Sequence, residues 1–172
     1  ANQTIVASTA NMRTSVYGNN QAAGTGADAQ ATVAAAQTNG VVAGTLALSG
    51  ALGSYSATVA ASETSKATAD KINAQTSSTG ITATARTNVQ LTFGTGAVSL
   101  QLLGDNTTAE TVSFSTATGT GADDLALAIQ AINEKSSKTG ITAELNSTNT
   151  GVILTNTSGN DISVGKALNI AN

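Results

Sequence analysis

Ala131-Ile132-Asn133-Glu134-Lys135-Ser136-Ser137-Lys138-Thr139-Gly140-Ile141-Thr142-Ala143 repeats, without a gap, Lys71-Ile72-Asn73-Ala74-Gln75-Thr76-Ser77-Ser78-Thr79-Gly80-Ile81-Thr82-Ala83. Both stretches hold Ile-Asn, then Ser, then Thr-Gly-Ile-Thr-Ala. A spacing of about sixty residues exceeds that of most solenoid repeats. Two copies of one supersecondary unit are therefore expected, rather than an open array.

Around the second stretch the signals are strong. Residues 97–103 alternate, with Val98, Leu100 and Leu102 on one face; Gly104-Asp105-Asn106 turns the chain, and 110–115 carries Val112 and Phe114 on a second strand. Gly119-Thr120-Gly121-Ala122-Asp123 opens a helix, for which Thr120 is the expected cap, with Asp123 three residues on as its capping-box partner. Leu125, Ala128, Ile129 and Ile132 then fall at i, i+3, i+4 and i+7, one narrow apolar stripe that can cover a sheet face, and predict a helix over 122–136. Thr139-Gly140 ends it. Strands are expected at 141–145, 152–155 and 162–164, separated by Asn149-Thr150-Gly151 and Ser158-Gly159-Asn160.

Around the first stretch the same order appears with weaker residues: a hairpin of 45–48 and 55–59, a helix over 65–76, and extended chain from Ile81 to Phe93. Thr68 and Ala69 replace bulkier groups on that helix and leave Ile72 as its main anchor. The expected fold is α+β: two tandem ββαββ units with largely antiparallel sheets and one helix each. The divisions expected are 1–40 as an N-terminal connecting segment, 41–93 as the first unit, and 94–172 as the second unit with a return strand. In the connecting segment Gly24-Thr25-Gly26-Ala27-Asp28 repeats the helix-opening string before the Ala-rich stretch 30–36, where a short helix is anchored weakly by Val33.

Only 10% of the 172 residues are charged, where about 25% is ordinary. The net charge is −3 and the seven cationic residues are scattered, which leaves no footprint for nucleic acid. No apolar run reaches the length of a membrane span. With two Phe, two Tyr and no Trp, burial must come from thin layers of Val, Ile, Leu and Ala. The chain does not begin with Met, which suggests a fragment or a processed piece.

No His and no Cys are present, which removes the common nucleophilic and zinc-dependent mechanisms. The carboxylates sit at turns and helix ends, away from the environments that split the pKa values of an acid and base pair. The Gly-Thr-Gly-Ala-Asp strings continue neither as a P-loop nor as a dinucleotide fingerprint. Asp105-Asn106 and Asn160-Asp161 lack the spacing of a calcium loop and read as turns. Asn2, Asn106, Asn146 and Asn156 each begin a glycosylation sequon, which a chain this rich in Asn and Thr supplies by chance. No enzyme activity, cofactor or metal is expected.

The two Ile-Asn … Thr-Gly-Ile-Thr-Ala stretches resemble the hook IN motif of flagellins and related hook-associated and filament-cap proteins. Ala1-Asn2-Gln3-Thr4-Ile5 is similar to the point where a flagellin chain leaves its core for its variable outer domains. The residues that carry the resemblance, and to which it gives a structural role, are Ile72, Asn73, Gly80, Ile81 and Ala83 in one copy and Ile132, Asn133, Gly140, Ile141 and Ala143 in the other. The resemblance implies a bacterial flagellar filament subunit, exported unfolded without a cleaved signal, located outside the cell, and supporting motility and antigenic display. Its implied partners are neighbouring flagellin subunits, with antibodies or surface glycans as further ones. The long terminal helices that polymerise such filaments are absent from this stretch, so the fragment by itself is expected to be monomeric or weakly self-associating. The alternatives are a filament-cap or hook-associated protein, or an adhesin-like carbohydrate-binding module using Tyr17 or Tyr55 as its platform.

Overall fold

The alternating apolar residues of the second copy form, in the computed structural model, the strand to which most of the core attaches. The model describes residues 38–168; the expected helix at 30–36, the segment 1–17 and Tyr17 lie outside that range. Eight strands are described: β1 (Gly44–Ser49), β2 (Ser54–Val59), β3 (Thr87–Leu91), β4 (Gly96–Leu103), β5 (Glu110–Thr116), β6 (Ile141–Leu145), β7 (Val152–Asn156) and β8 (Ser163–Leu168). The helices are α1 (Ser65–Asn73), α2 (Thr76–Thr79), α3 (Ala122–Asn133) and α4 (Ser136–Thr139). The fold is α+β with antiparallel sheets, as the alternation and the helical stripe predict.

β4 is the central strand of the order β5-β4-β8, and its hairpin with β5 sets Leu100 opposite Val112 and Val98 opposite Phe114. A second sheet has the order β3-β7-β6. Helix α3 packs against β5 and β6, and Leu125, Ala128 and Ile132 are completely buried among Leu100, Leu102 and Val152. Phe93 and Phe114 meet edge to face with ring centroids 5.0 Å apart, the arrangement that aromatic quadrupoles favour.

Two expectations are corrected. The extended stretch 81–93 is a strand only over Thr87–Leu91, and this strand pairs with β7 of the second copy rather than within its own unit. Thr87 and Ile141 both face Asn156, while Leu91 and Leu145 both face Val152, so β3 and β6 flank β7 in matching register. The physical reason is that β7 is buried at Val152, Leu154, Thr155 and Asn156, and buried backbone needs a hydrogen-bonding partner on each edge.

The second correction concerns the start of α3. Its N-cap is Gly121, with no side-chain cap, so the expected pair of Thr120 and Asp123 does not form. Instead the Asp124 carboxylate accepts the backbone N–H groups of Ala117 (2.6 Å), Thr118 (2.9 Å) and Gly119 (2.6 Å). A positive φ of 75° at Gly119 turns those donors together, and a nest of N–H groups holds an anion well. Those bonds, first from Ala117 and then from Thr118, hold the Asp124 carboxyl down at about 2 against an ordinary 3.8.

A group with a lowered folded pKa stabilises above its unfolded value and loses that contribution as pH falls through the folded one. The gap in melting temperature between the native chain and Asp124→Asn is therefore expected to be full at neutral pH and to close from about 3.8 down to about 2. Thermal melts followed by circular dichroism at several pH values check this.

Candidate functional site

Each repeated stretch places a helix end against the first residues of the chain that follows it, and the Asn of Ile-Asn makes that joint. Asn133 Nδ2 donates to the Ala143 carbonyl at 3.1 Å while Ala143 N–H donates to Asn133 Oδ1 at 2.7 Å. In the first copy Asn73 Nδ2 donates to the Ala83 carbonyl at 2.9 Å while Ala83 N–H donates to Asn73 Oδ1 at 2.7 Å. A carboxamide offers a donor and an acceptor side by side, so it bonds an extended residue as a neighbouring strand would. Asp in the same place, ionised, would have no donor for the carbonyl.

Between the two ends of each clamp, Thr and Gly reverse the chain. Thr139 Oγ donates to the Lys135 carbonyl and accepts from Ile141 N–H, as Thr79 Oγ does with Gln75 and Ile81. Gly80 and Gly140 take φ of 73° and 68° at the helix C-caps, a conformation costly for residues with a Cβ. Ile72 and Ile132 point from the helices into the interior. The copies differ beyond the turn: Ile141 and Ala143 are buried and belong to β6, whereas Ile81 and Ala83 are half-buried and outside any strand.

Gly50 and Gly104 belong to the joint as well. Leu52 N–H donates to the Thr79 carbonyl at 3.3 Å and Asp105 N–H to the Thr139 carbonyl at 2.8 Å, which seats each hairpin turn on the clamp of its own copy. The sequence signal was available in the glycine that directly follows each alternating strand.

In the second copy alone the Asp105 carboxylate gathers the side chains of Asn156, Ser158 and Asn160, each at 2.8 Å. Partial burial pushes its carboxyl up, and the hydrogen bonds from Asn156, Asn160 and Ser158 outweigh that and leave it below the ordinary value. In the first copy Glu63 is held at about 2, first by the Lys71 ammonium at 2.6 Å and then by Ala60 N–H. Lys138 beside Glu110 lowers that carboxyl too. Each of these three carboxylates, like Asp124, accepts hydrogen bonds that favour the charged form.

A shallow groove between β5 and α3 is lined by Ser113, Phe114, Leu127, Gln130, Ala131 and Glu134. Among the described residues no group of acidic side chains has the arrangement of a metal site. Tyr55 is half-buried, opposite Leu48 on the β1–β2 hairpin. The amide nitrogens of Asn106, Asn146 and Asn156 all bond within the chain; Asn106 and Asn146 lie in turns, as expected, whereas Asn156 is fully buried on the central strand β7 rather than at a turn or edge, and Asn2 lies outside the described range.

Asn133→Ala is expected to cost about 1–3 kcal/mol, since it leaves both backbone groups of Ala143 without their partner. Asn73→Ala should cost less, because Ala83 is more open to water. Urea midpoints of the two variants measure the difference.

No curated protein matches the chain. Residues 45–96 match the family model described as the flagellin hook IN motif. That range begins in β1, takes in the Asn73–Ala83 clamp and ends at the first residue of β4, so this stretch, with its clamp, is similar to the hook IN motif of flagellin-type proteins.

Proposed function

We propose that this chain is an outer, surface-exposed portion of a flagellin-type subunit of the bacterial flagellar filament, located outside the cell and structural rather than enzymatic. The match over residues 45–96 carries the reading. The second clamp supports a second unit of the same kind, since Asn133 and Ala143 repeat the bonds of Asn73 and Ala83. The units proposed are 41–93 and 94–172, with 1–40 leading into them and the ten motif residues acting as the joints of each unit.

The work of such a module is mechanical and interfacial. It fills lateral space between neighbouring subunits and presents a polar, weakly charged surface to the medium, supports motility, and displays epitopes to antibodies. The isolated chain is expected to sediment at micromolar concentration as a monomer or a weakly self-associating species; a tight oligomer there would contradict this part of the reading.

Immunogold labelling of intact cells with antibody raised against the chain tests the proposal. Gold along the whole filament shaft is the expected result. Gold confined to the distal tip, or to the junction of hook and filament, would replace it with a cap or hook-associated role, and labelling away from flagella would end it.

A further inference from the structure

We propose that Asn39-Gly40 is a site of spontaneous deamidation, where Asn39 loses its side-chain amide to water and the tie between the chain entering β1 and the β7–β8 turn is released. It is the single Asn-Gly pair in the chain. The reaction is an attack by the backbone nitrogen of the following residue on the carboxamide carbon, and glycine has no Cβ to hinder it.

The reacting groups are placed for that attack. Val41 N–H donates to Asn39 Oδ1 at 3.0 Å, which folds the side chain back on its own backbone. The ring closed by this bond contains both Asn39 Cγ and Gly40 N, and the bond draws electrons away from Cγ. Gly40 is exposed, and among the described residues no acceptor takes its N–H, so water reaches the nucleophile. Gly40 N gives its proton to hydroxide and bonds to Cγ. The Cγ–Nδ2 bond then breaks, and Nδ2 leaves as ammonia with a proton from water. A second water opens the cyclic imide at either carbonyl, which leaves a carboxylate at position 39 on a normal or a β-linked backbone.

The consequence follows from the partners of Nδ2. It donates to Asp161 Oδ2 at 2.8 Å and Oδ1 at 3.1 Å, and to the Glu63 carbonyl at 3.2 Å. Asp161 lies between β7 and β8, 122 residues along the chain. An ionised carboxylate only accepts, so the new acid has no proton for either partner, and its charge stands against that of Asp161. The bond from Lys66 N–H to the Gly159 carbonyl at 2.9 Å remains, which confines the release to the Asn39 end of the contact. Loss of ammonia is one-way, so the converted share grows with the age of the chain. Only water is consumed, and the inference stands apart from the filament reading.

Peptide mass spectrometry of the folded full chain, kept for weeks in mildly alkaline buffer, follows the exchange of amide for acid. Asn39 should convert ahead of the other described Asn residues, and about tenfold more slowly in Gly40→Ala. A Cβ on Gly40 meets nothing within 4 Å, so this variant keeps the fold, which circular dichroism checks. Asn39→Asp should lower the urea midpoint at neutral pH. Adding Asp161→Asn to it should restore most of the loss, because an amide again donates to a carboxylate across the contact. Conversion of Asn39 only in urea-unfolded chain, or an unchanged rate in Gly40→Ala, would overturn the site. A double variant no more stable than Asn39→Asp would overturn the release. None of these outcomes alters what the gold labelling shows.

Discussion

Ile132→Ala is expected to destabilise the protein by about 2–5 kcal/mol, the usual cost of emptying an aliphatic site that cannot collapse. Ile132 is fully buried and belongs to one cluster with Leu100, Leu125, Ile141 and Leu154. Those neighbours come from a helix and two separate sheets, so no single shift of backbone can fill the gap. Ile72 holds the same place in the first copy, yet its buried company is Ala57 and Ala69, and the hairpin beside it has two strands rather than three. Ile72→Ala should therefore fall at the low end of that range. Denaturant unfolding followed by far-ultraviolet circular dichroism gives both values, and equal losses would mean that the first unit has a core as tight as the second.

The comparison of Ile72 with Ile132 also shows how far the sequence can be read. Periodicity fixes α3 and the β4–β5 hairpin because each presents bulky residues at one spacing, Leu125, Ala128 and Ile132 on the helix and Val98, Leu100 and Leu102 on the strand. The repeat itself points to Asn73 and Asn133, though not to what they hold, because their partners Ala83 and Ala143 are ten residues away and carry no polar side chain to mark them. Pairing between units is harder still. Thr87–Leu91 alternates as any half-buried strand does, and nothing in those five residues distinguishes β7 from a nearer partner. Asp124 was hidden for another reason: capping rules look from the cap towards the helix, whereas this carboxylate reaches back to the loop that precedes it.

Gly104→Ala is the sharper test of the joint. A Cβ on Gly104 would lie 2.5 Å from the Thr139 carbonyl oxygen and 3.0 Å from Ile141 Cδ1. The first neighbour is backbone at the end of α4, and the second is a side chain with no exposed surface. Neither can yield without moving β6 or parting Asp105 N–H from the Thr139 carbonyl. Overpacking of this kind costs about 1–3 kcal/mol, with the lost hydrogen bond adding about 1 kcal/mol. At Gly50 the collision with the Thr79 carbonyl is closer in distance, and Ile81 Cγ1 would be 2.8 Å away. There, however, Ile81 is half-buried and outside any strand, and the turn is held by a longer bond of 3.3 Å from Leu52. Freedom to relax should outweigh the shorter contact, so Gly50→Ala is expected to lower the urea midpoint less than Gly104→Ala. The reverse order would mean that the first hairpin, despite its thinner core, is seated as rigidly on its clamp as the second.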